Sequence, residues 1–161
     1  MNREARLAAA GLVAIAVFNL LVFPLFPRWF GLDAMPARIP DLWLYYTPDQ
    51  LRGILAALGP AGRRVWFFST LWADTIYPII YGATFSLLLK LAHEKARPRR
   101  LPHAVIRLPV AIATADYLEN IGGQIANLNW PDPPLWALWL ASLATVLKWA
   151  MALLTAVALL G

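Results

Sequence analysis

Four long apolar runs alternate with shorter polar stretches along the chain, at about 7–26, 65–91, 104–128 and 135–160. A bilayer core of about 30 Å takes roughly 20 helical residues to cross, and each run is long enough. The pattern predicts an all-α fold. Its form is an up-and-down four-helix transmembrane bundle, one membrane domain over 1–161 with no internal repeat. The first run follows Arg3 and Arg6 and superficially resembles a secretory leader. Its apolar part is long and ends in Pro24-Leu25-Phe26-Pro27-Arg28-Trp29, with no small-x-small cleavage site, so it reads as a retained first helix. The third run is the least apolar, because it carries Arg107, Asp116, Glu119, Asn120, Gln124 and Asn127. It can span only if neighbouring helices cover its polar face.

The one long loop lies between the first and second runs. Within it Thr47-Pro48-Asp49 supplies a helix start, Thr as N-cap and Pro at the first position. Leu51, Ile54, Leu55 and Leu58 then recur at helical spacing, and Gly59-Pro60 stops the run. A short interfacial amphipathic helix over about 48–58 follows, lying on the membrane or over the bundle. The 92–103 turn is basic, a topogenic and lipid-headgroup surface, whereas 129–134 is a tight turn free of Lys and Arg.

Composition sharpens this picture. The 161 residues are 60% hydrophobic and only 14% charged. A soluble domain of this size cannot hide so much apolar surface, and a disordered chain does not carry it. No Cys is present, which excludes disulfides and thiolate chemistry. The net charge of +5 sits in short segments beside apolar runs, so it points to membrane lipids and not to nucleic acid. Arg3, Arg6, Lys95, Arg97, Arg99 and Arg100 fall on one side. Arg28, Arg38, Arg52, Arg63 and Arg64, offset by Asp33, Asp41, Asp49 and Asp132, fall on the other. That bias favours both termini in the cytoplasm. Trp29, Trp43, Trp66, Trp130 and Trp136 are expected in an outer interfacial belt.

The informative residues are the charges inside the spans: Asp74, Asp116, Glu119 and Lys148. Each costs roughly 2.5–3.5 kcal/mol at a helix centre on insertion scales, so all four must face inward and find partners. Helical spacing puts Thr70, Asp74, Tyr77, Tyr81 and Thr84 within about 80° of one face of the second helix. Asp116, Glu119, Asn120, Gly123, Gln124 and Asn127 share an arc of about 140° on the third. Thr145, Lys148 and Thr155 line up on the fourth. Asn19, Asp74 and Glu119 are expected at one depth, Asp74, Glu119 and Asn120 within one contiguous interior cavity, and Asp116 closer to Lys148 than either other acid. Asn19, Thr70, Thr145 and Asn127 also suit plain interhelical hydrogen bonding. Pro78 leaves the Asp74 carbonyl without its helical donor. Three acids against one Lys leave an excess of carboxylate, which has to be protonated, hydrated or cation-bound. No metal-ligand spacing, nucleotide loop or nucleophile motif is present, so neither a metal nor a cofactor is expected.

These marks resemble a known pattern. Leu58-Gly59-x-x-Gly62-Arg63, Asp74-x-x-Tyr77-Pro78-x-x-Tyr81, Asp116-x-x-Glu119-Asn120 and Lys148-Trp149 are similar to those of a widespread bacterial family of small four-span membrane proteins with no assigned activity. The resemblance covers about 45–160 and implies a four-span fold with a shared polar centre. A second likeness, architectural only, is to the emopamil-binding/sigma-2 receptor group, and fold-level analogy carries no function.

Three functions stay open on the sequence. One is binding or transport of a small amphipathic or cationic molecule, or of protons, with Asp74, Asp116 and Glu119 holding charge, Asn19, Asn120, Tyr77 and Tyr81 around them, and Lys148 balancing. Another is a membrane enzyme acting on a lipid or isoprenoid, with a carboxyl as general acid/base. The last is an accessory subunit of a larger membrane complex. The topology is testable on this Cys-free chain: in intact cells Ala96→Cys resists an impermeant thiol reagent and Asp132→Cys reacts with it. The reverse pattern inverts the orientation.

Overall fold

The computed structural model of the protein describes residues 3–35, 37–40, 43–95 and 103–160. It is all-helical over those residues. The helices are α1 (Arg3–Trp29), α2 (Pro48–Lys95), α3 (His103–Ile106), α4 (Leu108–Leu128) and α5 (Leu135–Leu160). Three of them, α1, α2 and α5, are long and apolar enough to cross a membrane. Their outward faces carry large apolar side chains, among them Leu20, Ile79, Leu143 and Leu153, each more than 60% exposed. A monomer in water rarely leaves such a surface uncovered. Arg97, Arg99 and Arg100 of the basic turn, Asp41 and position 96 lie outside the described residues, as does the side chain of Lys95.

Prolines set the irregularities. In α1, Pro24 cannot donate to the carbonyl four residues earlier. The chain answers with a π-helical stretch over Phe18–Val22, in which the Phe23 amide reaches back to the Phe18 carbonyl. This lets α1 run from Arg3 to Trp29, further at both ends than the apolar run alone suggests. In α2 the break expected at Gly59-Pro60 is a kink inside one 48-residue helix. Gly59 takes φ 60, ψ 179, a conformation open in practice only to glycine, and Pro60 restarts the helix at its first position. The 60–95 limb therefore begins five residues ahead of the expected 65. In the third apolar run, Pro109 removes a donor near the start, and Arg107 separates the short α3 from α4.

The 48–58 arm opens with a reciprocal cap. Gln50 N–H donates to Thr47 Oγ1 at 3.1 Å, and Thr47 N–H donates to Gln50 Oε1 at 2.7 Å. Its apolar face does not turn to lipid. Leu51, Ile54, Leu55 and Leu58 bury against Tyr46, Trp66, Ala126, Leu138 and Ala141, where α4 ends and α5 begins. Two arginines fasten the arm at its back: Arg63 donates to the Leu55 carbonyl at 3.0 Å and Arg52 to that of Pro133 at 3.4 Å. Trp66, expected in an interfacial belt, is instead 2% exposed within this core, while Trp29 and Trp136 remain exposed. The difference arises because Trp66 stands on the limb's inner face, where its ring packs beside Gly123.

Helices α4 and α5 form the tightest pair, joined by the short turn after Asn129, where Asp132 N–H donates to the Asn129 carbonyl at 2.9 Å. Gly122 permits that approach, since a Cβ there would stand 2.7 Å from both the Ala137 carbonyl and the Ala141 amide. Helix α2 packs against α1 on one side and against α4 and α5 on the other. Helix α1 makes no extended contact with α5 among the described residues. A gap is left between the first and last long helices, and it positions the site described next. The kink gives a direct test. Gly59→Ala forces a side chain into a glycine-only conformation, and thermal unfolding in a fixed detergent is expected to show a loss of about 1–3 kcal/mol.

Candidate functional site

The gap is a cavity of about 1040 Å³. One wall is α1, from Ile15 to Pro27, and the facing wall is α5, from Lys148 to Leu159. The back is α2 from Val65 to Phe85 with Ile112, Asp116 and Asn120 of α4, and Met35, Ala37, Arg38, Ile39 and Trp43 cover the end near Val65. Most of this lining is apolar. Most of the polar side chains gather midway along it: Asn19, Asp74, Tyr77, Tyr81, Asp116, Asn120 and Lys148, with Arg38 and Ser69 toward the Val65 end and Thr155 toward the other.

Helical spacing explains the gathering. Asp74, Tyr77 and Tyr81 recur at intervals of three and four and share the face of α2 that looks into the gap. Asp116 and Asn120, four apart on α4, do the same. The π-helical turn of α1 carries Asn19 to its place: its amide donates to the Tyr77 hydroxyl at 2.7 Å and to the Ile15 carbonyl at 2.9 Å. Tyr77 sits in an aromatic nest, with Phe18, Phe23 and Tyr81 rings 5.2–5.5 Å away. The Tyr81 hydroxyl donates to Asp116 Oδ2 at 3.0 Å.

Lys148 is the hub. Its Nζ lies 2.9 Å from Asp116 Oδ1 and 2.5 Å from Glu119 Oε2, with all three side chains nearly buried. The expectation that Asp116 would be the closest acid is therefore corrected. The two carboxylates are three residues apart on one face of α4, and the ammonium enters between them with Glu119 the nearer. Glu119 is also displaced from its expected place. It is 3% exposed and stands behind Lys148, while Asp74 and Asn120 line the cavity wall. Its second oxygen accepts from the Tyr46 hydroxyl at 3.3 Å. A chain of hydrogen bonds and one ion pair thus runs Tyr81, Asp116, Lys148, Glu119, Tyr46, from the cavity wall to the core beneath the arm.

Tyr46 was not among the residues singled out from the sequence. A signal existed: it directly precedes the Thr47 cap, where an apolar residue packs on the first turn of the helix it introduces. Tyr46 and Leu51 share one buried cluster. Tyr117 is the other omission. Its hydroxyl donates to the Thr75 carbonyl at 2.6 Å, beside the ladder that Pro78 interrupts. The remaining polar residues tie helices together away from the cavity. Gln124 donates to Thr70 at 2.9 Å, and Asn127 to the Arg63 carbonyl at 3.1 Å.

The arrangement can hold positive charge. At the middle of the site Asp74, Asp116 and Glu119 carry three formal negative charges where Lys148 supplies one positive, in surroundings of low dielectric, and Arg38 adds a second positive charge at the cavity end near Val65. Among the described residues no group of three potential metal ligands converges. Removing the hub is predicted to be costly. Lys148→Met leaves two buried carboxylates facing each other, and thermal unfolding is expected to register a loss of about 3–5 kcal/mol. Tyr46→Phe removes one hydrogen bond to a charged acceptor and is expected to lose only about 1.5 kcal/mol. Equal losses in the two variants would mean that Lys148 is not the hub.

No protein-family model, no curated protein and no solved structure matches the chain, which leaves the chemistry of this cavity as the ground for its function.

Proposed function

We propose that the chain is a four-span protein of the bacterial inner membrane, with both termini cytoplasmic, that binds or moves a small cationic amphiphile drawn from the surrounding lipid. Helix α4 is the span that would not cross alone, and α2 and α5 cover its polar face. The observation that carries the reading is the mostly apolar cavity of about 1040 Å³ with Asp74 and Asp116 on its wall and α1 and α5 apart at its side. Ligand sites are commonly apolar hollows with a few placed polar groups. A side opening faces lipid in a membrane, where an amphiphile already resides. An excess of carboxylate selects a cation.

A second reading is favoured by Asp116, which accepts from Tyr81 and from Lys148 at once. A carboxyl held between a phenol and an ammonium suits general acid/base chemistry on a lipid or isoprenoid.

The binding reading is tested with two probes of one chain length, hexadecylamine and hexadecanol, titrated into the protein in lipid nanodiscs with empty nanodiscs subtracted. The amine is expected to bind about tenfold or more tightly. Asp74→Asn is expected to keep the thermal stability and remove that preference. Equal affinity of amine and alcohol for the native protein would reject the reading.

A further inference from the structure

The cavity has a length and a sequence of zones that narrow the ligand class. Its α2 wall runs from Val65 to Phe85, twenty residues or about 30 Å of helix. Asp74, Tyr77 and Tyr81 occupy the middle of that wall, with Asp116 beside Tyr81 and Lys148 on the adjoining α5 wall. Beyond them toward Phe85 the lining is Ile112, Ala152, Ala156 and Leu159, with Thr155 donating to its own helix at the Met151 carbonyl. Toward Val65 most of it is again apolar, with Phe26, Met35 and Ile39 around Trp66, and Arg38 and Ser69 are its polar members. Trp66 is 2% exposed, and its indole N–H has no partner among the described residues.

A ligand with a terminal head and one tail would fill half of such a space. Its head would sit at the carboxylates, its tail would take one apolar arm, and the other arm would lose its contacts. Apolar contact scales with the area covered. We infer that the preferred ligand is an elongated amine whose nitrogen lies within the molecule, flanked by two apolar arms, with the nitrogen at Asp74 and Asp116 and one arm in each end of the cavity. This inference rests on the binding reading proposed above and specifies its substrate class.

The test compares isomers. Dioctylamine and hexadecylamine have the same number of carbons and one basic nitrogen each, central in the first and terminal in the second. Both are titrated into the protein in nanodiscs by calorimetry, with empty nanodiscs subtracted. Dioctylamine is expected to bind about tenfold more tightly. Ala156→Trp, which blocks one arm, is expected to reduce dioctylamine affinity more than that of hexadecylamine, which can still use the other arm. Hexadecylamine binding equally or more tightly in the native protein overturns the two-armed class and leaves the cationic reading standing. Neither amine binding better than hexadecanol overturns both. An Ala156→Trp variant that weakens the two amines alike also rejects the two-armed placement.

Discussion

An ammonium buried between two carboxylates is stable only if everything around it holds still. Lys148 comes from α5, and Asp116 and Glu119 from α4, so the two most closely packed helices are locked in register by charge as well as by the glycine contact at Gly122. Each carboxylate then passes a second oxygen outward. Asp116 engages Tyr81 on α2, and Glu119 engages Tyr46 ahead of the arm. One charge centre therefore orders four parts of the chain. Buried ion groups of this kind add little net stability over a packed apolar core, yet losing one partner is severe. Such a centre suits a site that must keep its shape while an occupant comes and goes.

Much of the fold was legible because its periodicity is strong. The four apolar runs, the break at Gly59-Pro60 and the arm over 48–58 are local features, each fixed by spacing or by a proline. The inward clustering of Asp74, Asp116 and Lys148 followed from the cost of charge in lipid, a constraint any spanning arrangement must satisfy. What escaped were choices made by tertiary contact. Glu119 joins Asp116 on Lys148, and lies nearer to it, by geometry that no helical wheel contains. Trp66 has the composition of an interfacial anchor, but Gly123 opens a slot for its ring. The partnership of Tyr46 with Glu119 spans 73 residues of sequence, and only its helix-cap position hinted at burial.

Helix α1 stands apart from the rest in how it is held. It packs along α2 alone to any extent, through Gly11 against Thr84, the Lys90–Glu4 ion pair and the Phe30–Phe68 stack. Its π-helical turn faces Tyr77, so the one irregular stretch of the helix adjoins the polar middle of the cavity. π-Helical turns commonly mark places where a helix has been adapted to present a side chain, and here the side chain is Asn19.

If the cavity takes its ligand from lipid as proposed, the open flank between α1 and α5 changes what affinity means for this protein. A molecule that dissolves in the bilayer is enriched there over the aqueous phase before it meets the cavity. The encounter is then two-dimensional and set by lateral diffusion, so a modest intrinsic affinity suffices to keep the cavity filled. Occupancy would follow the mole fraction of the ligand in lipid and the competition from ordinary acyl chains, and dilution of the surrounding water would leave it largely unchanged.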